Sequence, residues 1–490
     1  MSLDQYITRI AVGLIVLMLL AGVLAYASIL SELRSLREDI TRTSEELNYV
    51  ESQLDEIGRR ISSLEAGSEG LEEIRFRLDS LAEEIAELKD ERAIDRERLE
   101  ELASELAAIS VRLDELGSEL ESIGAASSDA LLSIEELRER VEKLTSELDS
   151  LSELILFPVE IVDGTGDTVI ISSRPERIVS MAPSVTETLY YVRALDRLVG
   201  VDDYSDWPEW IAEARETGDI ASIGGFWNPS LEAILALDPD LVIGVASAPP
   251  HLNVKRILEA YGIPVLLLPN QNLNDIVWSL IMVGRATGNI VEAYEAAARF
   301  EAAVASAAVL AENAGASGVK IAVIVWLEPL FVVGWGNWEN DIIKLVGAVN
   351  VYGDESDESL MGWPMVSVET LVERKPDVIV IMGGHGQIES PEDFVEWLRS
   401  LIGESAEEIP AVRDNRIYII TGLYSDVFAR PSPRTALAVY VIGAIVAPEI
   451  YGVPESELPG VISPESLDIL SLIENLVPAD VYEFLGEAAG

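Results

Sequence analysis

Proline partitions this 490-residue chain: none of its 22 prolines precedes Pro158. Proline fixes φ and removes a backbone donor, so a proline-free stretch can run as uninterrupted helix. Beyond Phe157, prolines recur often enough to demand short elements joined by turns. The length suits about three domains at ~150 residues each.

Within the proline-free part, Ile10 to Leu30 is a run of 21 residues without a charge. A bilayer-spanning helix needs ~20 apolar residues, so this run predicts a transmembrane anchor. A signal peptide cleaved after Ala25-Tyr26-Ala27 is the alternative, and either reading exports the rest. From Leu36 the apolar residues recur at 3–4 spacing: Leu36, Ile40, Leu47, Val50, Leu54, Ile57, Ile61 and Leu64. After Gly67 and Gly70 the register shifts once and continues from Leu71 through Ile123, then in phase from Ile134 to Ile155. Heptads sustained this far predict a coiled-coil stalk, acting as a spacer or as an oligomerising element. Arg92, Asp95, Ser127 and Ala130 fall on core positions, where polar or small residues set register and partner number. One straight helix over 36–155 would reach ~180 Å. Folding back at Gly67–Gly70 or Gly124–Asp129 would shorten it.

The formal charge is −52. Residues 31–155 hold 35 acids against 15 bases. Such acidity excludes docking on a nucleic-acid backbone, which needs clustered Lys and Arg. The absence of cysteine excludes disulfides, thiolate catalysis and Cys-metal sites.

The α/β half contains a duplicated unit. Asn228-Pro-Ser-Leu-Glu-Ala-Ile-Leu-Ala-Leu-Asp-Pro-Asp-Leu-Val-Ile-Gly244 is echoed by Met365-Val-Ser-Val-Glu-Thr-Leu-Val-Glu-Arg-Lys-Pro-Asp-Val-Ile-Val-Ile381. Ser230, Glu232, Pro239 and Asp240 recur as Ser367, Glu369, Pro376 and Asp377. Each copy reads as a short helix, a Pro-Asp turn and a buried parallel strand. Two copies predict two similar lobes with a cleft between them. Val159 to Ile171 reads as a hairpin. Arg177 onward reads as a strand leading into a helix capped by Ser184, with Glu187 closing a capping box. Further strands are expected at Leu241–Val245, Pro264–Leu268, Val319–Trp326, Val378–Met382 and Arg416–Thr421. Asn274 to about Ala311 reads as one long connecting helix with a weak point at Gly284–Gly288. The expected domains are an anchor (1–30), a stalk (31–156), an N-terminal lobe (157–273), a connecting helix (274–313) and a C-terminal lobe (314–490).

Four phrases carry a family resemblance. They are Arg177-Ile-Val-Ser-Met-Ala-Pro-Ser-Val-Thr-Glu187, Asn228-Pro-Ser-Leu-Glu232, Gly362-Trp-Pro-Met-Val-Ser-Val-Glu369 and Ala429-Arg-Pro-Ser-Pro-Arg434. In family order over roughly 157–455, they resemble the helical-backbone (class III) substrate-binding proteins of ABC importers, which take up vitamin B12, iron-siderophores and haem. The long stalk departs from the pattern of most bacterial relatives.

The resemblance implies that Glu232 and Glu369, one per lobe, dock on the permease dimer that works with the ATPase subunits. Paired charges of this kind set orientation more than affinity. It also implies a ligand cleft lined by Tyr204, Phe226 or Trp227, Phe331 and Trp363, with Trp326, Trp335 and Trp338 nearby. Flat rings bury much area at little entropic cost and suit a corrin, porphyrin or catecholate. Asp426 and Arg430 match a polar pair on the corrinoid in close relatives, although Val427 stands where those relatives carry tryptophan. His385, in Met382-Gly-Gly-His-Gly-Gln387, is an axial-ligand candidate for cobalt or iron in the cargo, or simply a loop histidine. His251 has no supporting context.

No nucleophile elbow, phosphate loop or zinc-protease helix motif is present. The expectation is therefore a non-enzymatic, single-pass membrane receptor with no cofactor of its own and its binding domain outside the cytoplasm. It would take a cobalt or iron chelate, corrinoid before siderophore or haem. A two-lobed chelatase-like enzyme and a coiled-coil scaffold are the alternatives.

Overall fold

The computed structural model describes residues 74–82, 84–85, 96–122, 128–314, 318–357, 360–383 and 388–490. They form two compact units, one of N-terminal helices reaching Leu151 and one of Ser152–Gly490 together with Ala103–Glu115.

The first unit tests the straight-rod reading. Arg98 contacts Glu84, and Arg140 contacts Asp79. In one continuous helix these pairs, 14 and 61 residues apart, would stand ~20 Å and ~90 Å apart. The described heptad segments therefore pack side by side. Ile74, Leu78, Leu81, Ile85, Leu99, Leu102, Ile134, Leu137, Val141, Leu144 and Leu148 are buried within a single chain. Residues 36–73, Arg92, Asp95 and Ser127 lie outside the described residues.

The membrane localisation is corrected. Among the described residues no helix is long and apolar enough to cross a membrane. The apolar Thr435–Val446 helix spans 12 residues, ~18 Å against a ~30 Å hydrocarbon core, and is buried at every position. The run at 10–30, on which the expectation rested, lies outside the described residues.

The second unit holds two α/β lobes. In the N-terminal lobe the parallel strands lie in the order Ala221–Ser222, Leu198–Val201, Ile178–Ser180, Leu241–Val245, Val265–Leu268. In the C-terminal lobe Lys320–Trp326, Val378–Met382, Ile417–Ile420 and Val461–Ile462 lie side by side in parallel. Val349–Asn350 pairs parallel with the start of Lys320–Trp326, and Phe331–Val332 antiparallel with its end. Leu241–Val245, Val265–Leu268, Val378–Met382 and Ile417–Ile420 are buried at every position, as parallel strands covered on both faces must be.

The duplicated unit does the same work twice. Asp240 accepts the Arg177 N–H at 2.9 Å and donates its own N–H to the Arg177 carbonyl at 3.0 Å. Asp377 accepts the Lys320 N–H at 2.9 Å and donates to the Lys320 carbonyl at 2.7 Å. In each lobe the repeated Asp fastens the start of its own strand to the start of the next.

The connecting helix is broken, not single. Leu273–Thr287 ends at Gly288 (φ +80°), and Ile290–Ala314 begins two residues later. A left-handed residue halts the helical ladder, and glycine takes that conformation without a steric penalty. The helices pack so closely that a Cβ at Gly284 would stand 2.3 Å from that of Ala293. Both helices join Thr435–Val446 in one apolar core that also takes side chains from both sheets. A large apolar interface restrains relative motion of the lobes.

Candidate functional site

Most of the expected ligand residues follow the carboxyl ends of parallel strands, where α/β sheets place ligands. Tyr204 follows Leu198–Val201, Phe226 and Trp227 follow Ala221–Ser222, and Asp426 and Arg430 follow Ile417–Ile420. Phe331 lies on the strand that turns back along the end of Lys320–Trp326.

The N-terminal lobe gathers three rings. The 202–207 loop is built around Asp202, whose carboxylate accepts Ser205 Oγ at 2.5 Å and the Tyr204 N–H at 3.0 Å. Burial pushes Asp202 up to about 6, against these hydrogen bonds and the nearby Arg430. Tyr204 is left 58% exposed. The Asp203 N–H donates to the Gly224 carbonyl at 2.9 Å, bringing Tyr204 beside the 224–229 turn. Phe226 and Trp227 meet edge to face at 5.0 Å, and Trp227 is 48% exposed.

Beneath Phe226 lies a residue that sequence reasoning passed over. His251 is fully buried, accepts the Val245 N–H on Nδ1 at 3.1 Å, and lies 3.1 Å from the Phe226 carbonyl through Nε2. Its ring packs edge on to Phe226 at 4.8 Å. Burial lowers its pKa to about 4, so the neutral tautomer with hydrogen on Nε2 holds the loop.

The C-terminal lobe gathers the others. The Val332 and Gly334 N–H groups donate to the Pro364 and Gly362 carbonyls at 3.2 and 3.1 Å, and Phe331 pairs with Met365. Phe331 and Trp363 thus share one segment, with Trp335 half exposed beside it. Gly362 takes φ +82°, and a Cβ there would meet Asn337 Nδ2 at 3.0 Å. Trp338 is core rather than surface: it is fully buried, donates to the Phe428 carbonyl at 2.8 Å and packs edge to face with Trp363 at 6.4 Å.

Asp426 and Arg430 belong to an ion cluster between the lobes. Arg430 reaches Asp206 at 2.6 Å, Asp426 at 3.0 Å and Glu187 at 3.3 Å. Burial opposes its charge, but these carboxylates outweigh burial and raise its pKa. Burial raises Asp426, offset in part by Arg430. Glu187, expected as a capping-box acid, is instead 1% exposed and accepts Arg434 Nη1 at 3.0 Å and the Ser432 hydroxyl. Helix Pro183–Tyr191 has no side-chain cap. Arg434 also donates to the Ala488 carbonyl at 2.8 Å and lies 4.3 Å over Trp207. Two of the four family phrases therefore meet: the Glu ending one is gripped by Arg430, Ser432 and Arg434 of another.

Glu232 and Glu369 are exposed, each in the first turn of a six-residue helix. Glu369 is lowered by its own backbone N–H and by the Ser367 hydroxyl. His385 lies outside the described residues.

The periplasmic binding protein family model matches residues 178–423. A vitamin B12-binding protein of Pectobacterium carotovorum subsp. carotovorum (strain PC1) is 29% identical over 264 residues, covering 54% of this chain and 86% of its own length. One from Yersinia pestis (strain Pestoides F) is 30% identical over 264 residues, covering 54% and 83%. The crystal structure of a periplasmic vitamin B12 binding protein of Vibrio cholerae is 24% identical with a TM-score of 0.46, covering 56% of this chain and 96% of that one.

Proposed function

The chain belongs to the periplasmic binding protein family, a family of binding proteins rather than enzymes, and on that premise we propose that it captures a metal chelate and passes it to an ABC permease. The cargo is a corrinoid first, an iron-siderophore or haem second. The observation that carries this reading is the pair of ring groups on carboxyl-end loops: Tyr204, Phe226 and Trp227 on one lobe, Phe331 and Trp363 on the other. Conjugated macrocycles present two flat faces, and aromatic side chains cover such faces with large apolar area. The relatives in Pectobacterium and Yersinia are vitamin B12-binding proteins, which supports the corrinoid.

Arg430 and Asp426 have a second role beside the cargo. Each is already committed to the ion cluster, so a polar group on the ligand would have to share partners with Asp206 and Glu187. Glu232 and Glu369 would meet the permease, one per lobe. Calorimetric titration of the purified protein with cyanocobalamin, haemin and a ferric hydroxamate tests the reading. Saturable binding of cyanocobalamin is expected, and binding of one of the iron chelates alone would reassign the cargo. Heat from none of the three would overturn the proposal.

A further inference from the structure

Behind Trp363 lies a carboxyl group that the ligand reading does not use. Glu339 sits in the first turn of helix Trp338–Leu345, whose N-cap is Asn337. It is fully buried. Oε2 accepts the Trp363 indole N–H at 2.6 Å, and Oε1 has no hydrogen-bond partner among the described residues.

Charged neighbours are committed elsewhere. Asp341 and Lys344, on the same helix, approach each other at 3.7 Å on its more exposed side. Arg374 takes Asp354 and Glu355. Arg430 takes Asp426 on the helix whose Phe428 carbonyl anchors Trp338. On the loop before Trp363, the Asp357 carbonyl accepts the Leu360 and Gly362 N–H groups. Among the described residues, burial pushes the Glu339 carboxyl up to about 8, against the hydrogen bond from the Trp363 indole. The helix N-terminus favours an anion there, but a carboxylate stripped of water and cations costs more than a helix end returns.

Contacts at the preceding backbone, on the ring and at the indole N–H set Trp363. Asn337 Nδ2 and the Gly334 N–H hold the preceding Gly362 carbonyl at 3.2 and 3.1 Å, Trp338 packs against the ring, and Glu339 takes its N–H. Only the last of these titrates.

We propose that Glu339 is a positioning residue: as a neutral acid it fixes the plane of the Trp363 ring, and its ionisation shifts that ring. A neutral carboxylic acid has a carbonyl oxygen to accept the indole N–H and keeps its proton on the other oxygen. Ionised, the group must draw in water or swing toward it, and the indole follows. The consequence for ligand affinity rests on the proposed function; the motion of the ring does not.

Fluorine NMR of the full chain labelled with 5-fluorotryptophan separates the two. The Trp363 signal is the one of nine missing from Trp363→Phe. In the wild type without ligand it should move in one step between pH 7 and 9. In Glu339→Gln, whose amide oxygen accepts the same N–H but cannot ionise, it should hold its neutral-pH position throughout. Glu339→Leu should displace it at every pH. Cyanocobalamin affinity should fall several-fold from pH 7 to pH 9 in the wild type and stay level in Glu339→Gln. A wild-type signal fixed from pH 6 to 10, or the same step in Glu339→Gln, would overturn the proposal. If Glu339→Gln does not fold, the wild-type titration decides alone. If the step occurs but no chelate binds, the ligand reading fails and the positioning role stands.

Discussion

The two lobes start from the same unit and secure their ring-bearing loops in opposite ways. In the N-terminal lobe a neutral imidazole, His251, spans the Val245 N–H and the Phe226 carbonyl, and burial pulls it down to about 4. In the C-terminal lobe a carboxyl, Glu339, takes the Trp363 indole, and burial pushes it up to about 8. Both groups are uncharged between those values, although one is a base and the other an acid. The Asp that ties neighbouring strands, by contrast, is used in both lobes, although Ser230 caps its helix and the matching helix begins at Glu369 without a side-chain cap. The two copies share the tie at the amino ends of the strands and differ in the loops at the carboxyl ends.

The ion cluster is the part neither lobe owns, and breaking it should have the largest effect. Glu187→Ala strands Arg434, which is 3% exposed, and removes one partner of Arg430. Losing one side of a buried pair costs about 3–5 kcal/mol, read from the urea midpoint of the globular unit.

The lobe-specific locks come next, and pH separates them. The folded pKa of His251 lies below its unfolded value near 6.5. The folded state therefore holds fewer protons, and stability is lost as pH falls from about 6.5 toward 4. At ~1.36 kcal/mol per pKa unit the loss approaches ~3 kcal/mol, and His251→Gln should remove that slope. Glu339 is raised, so its contribution is whole below about 4.5 and lost as pH rises to about 8. Stability measured across pH should show His251 contributing to the acid limb and Glu339 to the alkaline one.

A matched pair tests the shared scaffold. Asp240→Ala and Asp377→Ala each remove a carboxylate that accepts a strand N–H at 2.9 Å. Each should cost about 1–3 kcal/mol, and Asp240→Ala the more, since Asp240 also accepts the Glu176 N–H at 2.8 Å. A larger cost for Asp377→Ala would contradict that reading. The smallest effect on stability is expected for Glu232→Arg with Glu369→Arg, since both sites are exposed. That double variant should nonetheless lose stimulation of its permease; full stimulation would remove the docking assignment.

Local chemistry was readable in the sequence where it decided the outcome. Apolar β-branched runs after Pro-Asp marked Leu241–Val245 and Val378–Met382, because a strand buried on both faces tolerates little else. Gly284–Gly288 was a visible weak point, and the helix breaks there because Gly288 takes a left-handed conformation. Glu187 was misread because Ser184 and Glu187 satisfy a capping-box spacing, while its partners lie more than 240 residues onward. His251 and Glu339 gave no local signal: each acts on a loop 25 or 24 residues distant, and burial is the largest influence on its charge.

The central claim is that one ligand is held by rings from both lobes. Calorimetric titration of cyanocobalamin into Trp227→Ala and Trp363→Ala, one ring from each lobe, tests it most directly. Truncating a buried aromatic anchor costs about 2 kcal/mol or more, so each variant should bind at least tenfold more weakly. Wild-type affinity in either variant would show that one lobe binds alone and would contradict the account.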